Sequence, residues 1–416
     1  VSRDFDVLIV GAGVVGSAIG ALLLARKICA PGRVGIIADR LPPQAAADAD
    51  WGLRVFALSR ASERLLRHCR VWDSLPPQRV FAYERMCVWD AGGAAQGKGS
   101  LSFDCAEFGE PNLGYIVEGN ALQRECLRQV QAAGAALIEG GLQRIDIDST
   151  QALVGLNDGR ELRSTLIIAA DGTESRAREL LRIDTAGHAY AQDALVAHVR
   201  TAKPHRNTAW QRFLASGPLA FLPLPDGRSS VVWSVVRSEA KRLTGLDAKA
   251  FAAALTAASD EVLGAVELTT PVASFALQLQ YALHYVRPHA VLLGDAAHAV
   301  HPLAGQGLNL GLLDCGSLAE VLSEAKDPLR FGDYRLLRRY ERWRRSENLL
   351  AATALDGLER LFGASNPGVS SLRAAGLGVV DKLPFVKRRF AQRALGLIGD
   401  IPEFLRVDSV ESVDSR

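Results

Sequence analysis

Neither sign of charge dominates this chain: Lys and Arg number 48 against 46 for Asp and Glu, a formal net charge of +2. No whole-chain field is available to gather nucleic acid or to repel an anionic ligand, so any basic preference must be local. Paired cysteines are missing as well. Cys29, Cys69, Cys87, Cys105, Cys126 and Cys315 stand singly, without the spacing of a zinc site or a redox dithiol. They are expected as buried or semi-buried free thiols in a reducing compartment. Internal repeats and Gly/Ser-rich linkers are absent. With 416 residues, 48% apolar and 23% charged, the composition is that of a globular protein of two or three domains rather than of a disordered chain.

One uncharged run, LIVGAGVVGSAIGALLLA from Leu8 to Ala25, has about the length of a bilayer span. Its glycines, the preceding Asp4 and Asp6, and the lack of a clear cleavage site argue against a membrane or signal segment. A strand, a tight turn and a helix explain the same residues. FDVLIV suits a buried parallel strand, GSAIGALLLARK a helix with a basic end, and GRVGIIADR a second strand closing at Asp39, together a βαβ unit. LRSTLIIAADG and RPHAVLLGD read as further buried strands, each stopped by an acid beside a glycine, Asp171–Gly172 and Gly294–Asp295. ERMCVWD, LAFLPLP and SSVVWSVV alternate in the manner of antiparallel sheet.

The fold class expected is α/β, with two interleaved domains. A nucleotide-binding domain draws on residues 1–75, 113–182 and 286–340, and a sheet-rich substrate domain on 76–112 and 183–285. A helical region, 341–416, follows, opening with ERWRRSENLLAATALDGLERLF.

GAGVVG places G-x-G-x-x-G between strand and helix, the context this pattern requires. Gly11 permits the tight turn, Gly13 lets a pyrophosphate approach the backbone, and Gly16 allows close packing of helix on strand. The helix N-terminus then faces phosphate charge with free N–H groups. Asp39, at the end of the second strand, can accept hydrogen bonds from a ribose. This pattern alone does not separate NAD from FAD. His298 and His301 are three apart in a turn with no third ligand at a fitting spacing, so no metal site is expected.

GDAAHAVHPLAGQGLNLGLLDCGSLAE, LIIAADGTESRARELL and GAGVVG together resemble the flavoprotein aromatic hydroxylases. Within them, LRVFALSRASERLL, LGYIVEGNALQ, AFLPLP, LRRYERWRRS and the ending LGLIGDIPEFLR are similar to the ubiquinone-biosynthesis hydroxylases, nearest the branch that hydroxylates prenylphenol at ring C5. The resemblance implies a glutathione-reductase-like, Rossmann-type FAD domain joined to an antiparallel substrate sheet, as in para-hydroxybenzoate hydroxylase. It assigns Asp295 to the ribityl hydroxyls of FAD, and Gly305, Gly307, Leu308 and Asn309 to a helix start facing the flavin N1 and O2 edge. Asp171 would support the pyrophosphate region, with Arg176 as a phosphate-facing candidate. Pro302, His301 and Arg54 are the catalytic candidates: Pro302 borders the oxygen and substrate site and Arg54 lies alongside the flavin. His301 reads equally as a polar group near the ring or as a structural histidine. The chain departs from the family at Asp39, usually Glu, at Ala170, usually Gly, at Ala276, usually Pro, and at Gly119, often polar.

The implied reaction inserts one oxygen atom from O2 into a phenolic ring through a flavin hydroperoxide, with NAD(P)H or a protein electron donor as reductant. C5 of a 2-polyprenylphenol is the expected target, with C1 or C6, or the reaction of a different FAD aromatic hydroxylase, as the alternatives. A prenylated substrate implies contact with a membrane surface or a ubiquinone-biosynthesis complex, so a cytoplasmic chain with peripheral inner-membrane contact is expected, and oligomer formation stays open. PFVKRRFAQRALGLIG could lie on an anionic bilayer or a partner, or pack on the FAD domain with a solvated basic face. Two other readings compete. A non-catalytic FAD-binding subunit would be expected to lose HPLAGQGLNLG, which is intact, and a halogenase would carry W-x-W-x-I-P, which is absent.

Overall fold

The computed structural model describes residues 4–41, 50–97, 100–300, 306–363, 384–396 and 399–406. Its helices are α1 (Val14–Ala25), α2 (Arg60–His68), α3 (Gly119–Ala132), α4 (Arg176–Leu180), α5 (Arg237–Thr244), α6 (Ala248–Ala258), α7 (Gln306–Ser323), α8 (Tyr334–Gly363) and α9 (Pro384–Ala394). The apolar strand read from FDVLIV is β1 (Phe5–Val10), buried from Asp6 onward, as a strand covered on both faces must be. It sits mid-sheet in the order β8 (Ala136–Glu139), β2 (Val34–Ala38), β1, β11 (Glu161–Ala169), β19 (Ala290–Leu292), all parallel. β18 (Val286–Arg287) adds an antiparallel edge, and β9 (Leu142–Ile147) with β10 (Ala152–Leu156) forms an arm off β11. Helix α1 is buried around most of its surface and packs against α3 and α7, which is why its sequence is apolar all round.

A second, nine-stranded sheet runs β20 (His298–Ala299), β17 (Ala273–Ala282), β12 (Thr185–Thr201), β15 (Ser229–Val236), β14 (Gly217–Pro223), β13 (Thr208–Leu214), β5 (Arg85–Asp90), β6 (Ser100–Asp104), with β16 (Val266–Leu268) paired to β12. Its two faces divide by the period of two along each strand. Leu195, Val199, Val231, Trp233 and Val235 pack with Phe251 and Leu255 of α6. The intervening Ala194, Val196, Val232 and Ser234 face a cavity. The antiparallel reading holds for β14 and β15, whereas β5 is antiparallel to β6 but parallel to β13.

Two details depart from the expected organisation. Within 76–112, β4 (Val80–Tyr83) does not join the large sheet but pairs with β7 (Gly114–Glu118), which also pairs β3 (Val55–Leu58), so that Ile116 is fully buried in a small third sheet. Helix α8 runs straight across the boundary placed at residue 340, because YRLLRRYERWRRSENLL holds no glycine or proline to stop it.

Both large sheets are fastened at one buried carboxylate. Asp314 of α7 is fully buried; its Oδ2 accepts from the Gly294 amide at 3.1 Å and lies 2.5 Å from His298 Nε2. Its Oδ1 accepts from Arg344 Nε at 2.8 Å and Asn348 Nδ2 at 3.0 Å, both on α8. His298 belongs to β20 and pairs with Tyr281 of the nine-stranded sheet, while Gly294 follows the parallel strand β19. One carboxylate thus joins two sheets and two helices. These partners hold the Asp314 carboxyl down at about 2 against the desolvation that opposes them. Removing one member of a buried ion pair leaves the others uncompensated, so Asp314→Ala should destabilise the protein by roughly 3–5 kcal/mol in urea unfolding at pH 7. A loss under about 1 kcal/mol, the level of an exposed pair, would contradict this role. Because the folded value lies below the unfolded value of about 3.9, the stabilisation is complete above about pH 4 and is lost as pH falls through about 2.

Candidate active site

A cavity of about 2030 Å³ opens between the parallel sheet and the cavity face of the nine-stranded sheet. At one end the chain leaves β1 through Gly11, whose φ is +109°; a Cβ there would meet the Ala170 carbonyl oxygen at 2.4 Å. A Cβ at Gly16 would meet the Gly11 oxygen at 2.0 Å, so Gly16 permits helix–strand contact and does not line the cavity. Gly13 differs from both. Nothing lies within 4 Å of its Cβ position, which faces open cavity at the start of α1. Gln123 of α3 pins this turn by donating to the Ala12 carbonyl at 3.1 Å.

Asp39, just past β2, and Asp171, just past β11, line the same end. Asp171 also fixes the turn into α4, accepting from Ser175 Oγ at 2.5 Å and from the Ala177 amide at 2.9 Å. Arg176 lines the cavity too and is paired on its other side with Glu179 at 3.0 Å.

In the middle of the cavity the first turn of α7 contributes Gln306, Gly307, Leu308 and Asn309. The free amides of a helix start carry partial positive charge, which favours negative charge placed before them. The Asn309 side chain holds this turn in place: its Oδ1 accepts from the Ser59 amide at 2.9 Å and Ser62 Oγ at 2.7 Å, and its Nδ2 donates to the Ala57 carbonyl at 2.9 Å. Asp295 lines the cavity near the parallel sheet and makes no hydrogen bond with any described residue. Burial raises its carboxyl above its ordinary value, opposed by His298 and Arg54. Arg54 is exposed, lines the cavity and stacks over Phe56 with 5.0 Å from guanidinium to ring centre. Gly119 opens α3 beside it; a Cβ would meet the Arg54 carbonyl at 2.9 Å, a local reason for glycine there.

Of the two histidines, His298 is buried against Asp314 and does not line the cavity. His301, Pro302 and Gly305 lie outside the described residues. Among the described residues no cluster of His, Cys, Asp or Glu could hold a metal ion. Sequence reading missed Gln123, the tethering side chain of Asn309, and Asp314 with its α8 partners. Only the helical spacing of Arg344 and Asn348, one turn apart in an otherwise solvated-looking helix, could have drawn attention to the last of these.

The donor set suits a dinucleotide cofactor. Two helix starts face one elongated cavity, an open glycine stands at the first, and a half-buried carboxylate without a hydrogen-bond partner among the described residues lies near the second. A family model described as an FAD binding domain matches residues 142–351. Ubiquinone hydroxylase UbiL of Rhodospirillum rubrum is 35% identical over 406 residues, covering 96% of this chain and 91% of that protein. The 3-demethoxyubiquinol 3-hydroxylase of Escherichia coli is 33% identical over 95% of this chain and 100% of its own length. Among solved structures, p-nitrophenol 4-monooxygenase PnpA of Pseudomonas putida superposes with a TM-score of 0.72 at 16% identity, covering 95% of this chain and 99% of that one, a likeness of fold.

The open space at Gly13 separates binding from folding. Gly13→Leu should leave the melting temperature of the FAD-free protein unchanged while weakening FAD binding roughly tenfold or more, read by quenching of flavin fluorescence. Undiminished binding would show that no pyrophosphate passes this turn.

Proposed function

Because the chain belongs to the FAD-dependent hydroxylases of ubiquinone biosynthesis, we propose that its own step is hydroxylation of a 2-polyprenylphenol at ring carbon C5. The single observation that carries the reading is the continuity of the cavity, from the glycine turn at α1 to the apolar face of the nine-stranded sheet. A cofactor at one end and an aromatic ring at the other then share one continuous cavity. A second reading, attack at another ring carbon (C1 or C6), draws support from the identity with the 3-demethoxyubiquinol 3-hydroxylase.

Bound FAD, once reduced by NAD(P)H or a protein donor, supplies activation of O2 and delivery of one oxygen atom. The chain's residues do the rest. The α1 start with Gly11 and Gly13 receives the pyrophosphate, Asp39 a ribose hydroxyl, and Asp295 the ribityl hydroxyls, with Asp171 and Arg176 flanking the phosphates. The Gly307–Asn309 turn presents amide hydrogens to the flavin edge, where they stabilise negative charge. Arg54 adds a positive charge at the same place. Pro302, His301 and Gly305 join this region by the family resemblance alone.

Across the sheet, Ala194, Val196, Ala220 and Val232 exclude water from the ring. The eight strands on the cavity's path contribute no Asp, Glu or His to its lining among the described residues. Tyr83, on β4, has its hydroxyl pushed up to about 12 by burial. Converting a phenol of pKa about 10 to its anion at pH 7 costs roughly 4 kcal/mol. The strands of the large sheet therefore offer the ring no described carboxylate or imidazole as a base.

A prenylated substrate stays in membranes or on carriers. Among the described residues no helix is long and apolar enough to cross a membrane. In α9, Arg388 and Arg389 are exposed beside Phe385, 77% exposed, whereas Lys387 is buried on Glu107 at 3.0 Å. This helix packs in part on the sheet domain and offers a basic, apolar edge for peripheral contact with an anionic bilayer or a biosynthetic complex.

Complementation decides between ring positions. Expressed in hosts each lacking one ring hydroxylase, the protein should restore ubiquinone in the C5-deficient host and clear the C5-unmodified intermediate, identified by mass. Rescue only of another host would move the assignment to that carbon, and rescue of none would overturn the pathway step.

A further inference from the structure

Arg54 lines the cavity near Asp295, but the contacts that fix its backbone lie outside the cavity's apolar face. It ends a short strap, residues 50–54, that is fastened to two of the sheets. On the cofactor side, the Gly52 amide donates to Glu118 Oε1 at 3.1 Å and the Arg54 carbonyl accepts from the Gly119 amide at 2.8 Å, both at the junction of β7 and α3. Glu118 is buried there beside Arg79, 3.3 Å away. A Cβ at Gly52 would meet Asn120 Nδ2 at 2.6 Å, so the strap lies close against this junction.

On the substrate side, the strap meets the hairpin of β14 and β15. Arg228, buried in the turn between them, grips the Asp50 carboxylate with both arms of its fork, Nη2 to Oδ1 at 2.6 Å and Nη1 to Oδ2 at 3.1 Å. Its Nε donates to Asp226 Oδ2 at 2.7 Å. Fork-to-fork pairing fixes orientation as well as distance, and it holds the Asp50 carboxyl down at about 2. Trp51 is buried with Leu224, just past β14, and Ile116 of β7. The same hairpin builds the middle of the cavity's sheet side, through Ala220 and Leu222 on β14 and Val232 and Ser234 on β15. Four peptide units reach at most about 14 Å. A strap this short, fixed at both ends, leaves no slack between the Arg228 anchor and Arg54.

We propose that Arg228 is a positioning residue for the reaction: through Asp50 and the strap it sets where the Arg54 guanidinium stands, so that the substrate sheet holds the cation beside the cofactor. The inference rests on the reading that places Arg54 at the flavin edge, and it adds Asp50 and Arg228, neither of which lines the cavity. Charge separates this role from a field effect. A cation at the flavin edge favours the reduced, more negative cofactor. Acting only through space, loss of the Arg228 cation and loss of the Asp50 anion push the reduction equilibrium in opposite directions. Acting through the strap, both losses release Arg54 and push it the same way, against reduction.

The test brings FAD-loaded wild type, Arg54→Gln, Arg228→Met and Asp50→Asn to equilibrium with a redox dye and reads the ratio of reduced to oxidised flavin from absorbance. Arg54→Gln should lower the ratio. Arg228→Met and Asp50→Asn should each lower it at least about twofold, the lower end of coupling between neighbouring residues, and neither should lower it further when combined with Arg54→Gln. Asp50→Asn leaves Arg228 its bond to Asp226, so it serves alone if Arg228→Met does not fold: loss of an anion lowers the ratio only by way of the strap. Opposite shifts in Arg228→Met and Asp50→Asn, no shift in one or both, or shifts that persist undiminished beside Arg54→Gln overturn the clasp and leave Arg54 at the flavin edge. An unchanged ratio in Arg54→Gln itself overturns that placement of Arg54, and the clasp with it.

Discussion

A carboxylate with no access to solvent organises this molecule. Asp314 satisfies four donors or charged partners at once, and these come from different functional layers: the strand end that carries Asp295, the first pairing residue of the substrate sheet, and the long helix behind them. Burying a charge is costly unless hydrogen bonds and counter-charges surround it. That requirement makes the arrangement specific, because no layer can slide relative to the others without stranding Asp314. The cavity between the layers inherits its shape from this constraint.

Two kinds of chemistry then meet in one space. Toward the parallel sheet the lining is polar and built from strand ends and helix starts, where backbone amides and carboxylates are available without further burial cost. Toward the large sheet it is apolar, because alternate residues of strands packed on their other face by α5 and α6 point inward. A flavin at the junction would have its charge-bearing edge at the α7 start and its reacting face toward a dry surface. The cavity thus offers polar surroundings at one side and apolar surroundings at the other.

Much of the cofactor side was legible in the sequence. FDVLIV, LIIAADG and AVLLGD are short apolar runs stopped abruptly at glycine, the last two with an acid beside it, and such runs dictate buried parallel strands with functional groups at their tips. The glycines at 11 and 16 carry their steric reason locally. Other features carry no local signal. The parallel pairing of β13 with β5 joins segments far apart in the chain, and alternation gives a strand but not its direction. Asp314 stands in a helical run beside Cys315, and its partners Arg344 and Asn348 lie in a segment that reads as a solvated basic helix. Only the packing of α7 on α8 reveals them. His298, to which the sequence assigned no role, is drawn into that same network.

On the proposed function, the two ends of the cavity cooperate to place one atom of O2 on an aromatic ring. A single turnover tests it without reference to the natural electron donor: the FAD-loaded protein is photoreduced under anaerobic conditions, mixed with a 2-alkylphenol and ¹⁸O₂, and the ring product weighed by mass spectrometry. The account predicts a dihydroxylated ring carrying one ¹⁸O atom per product molecule. Reoxidation of the flavin with peroxide as the sole product, or a hydroxyl whose oxygen comes from water, would contradict it.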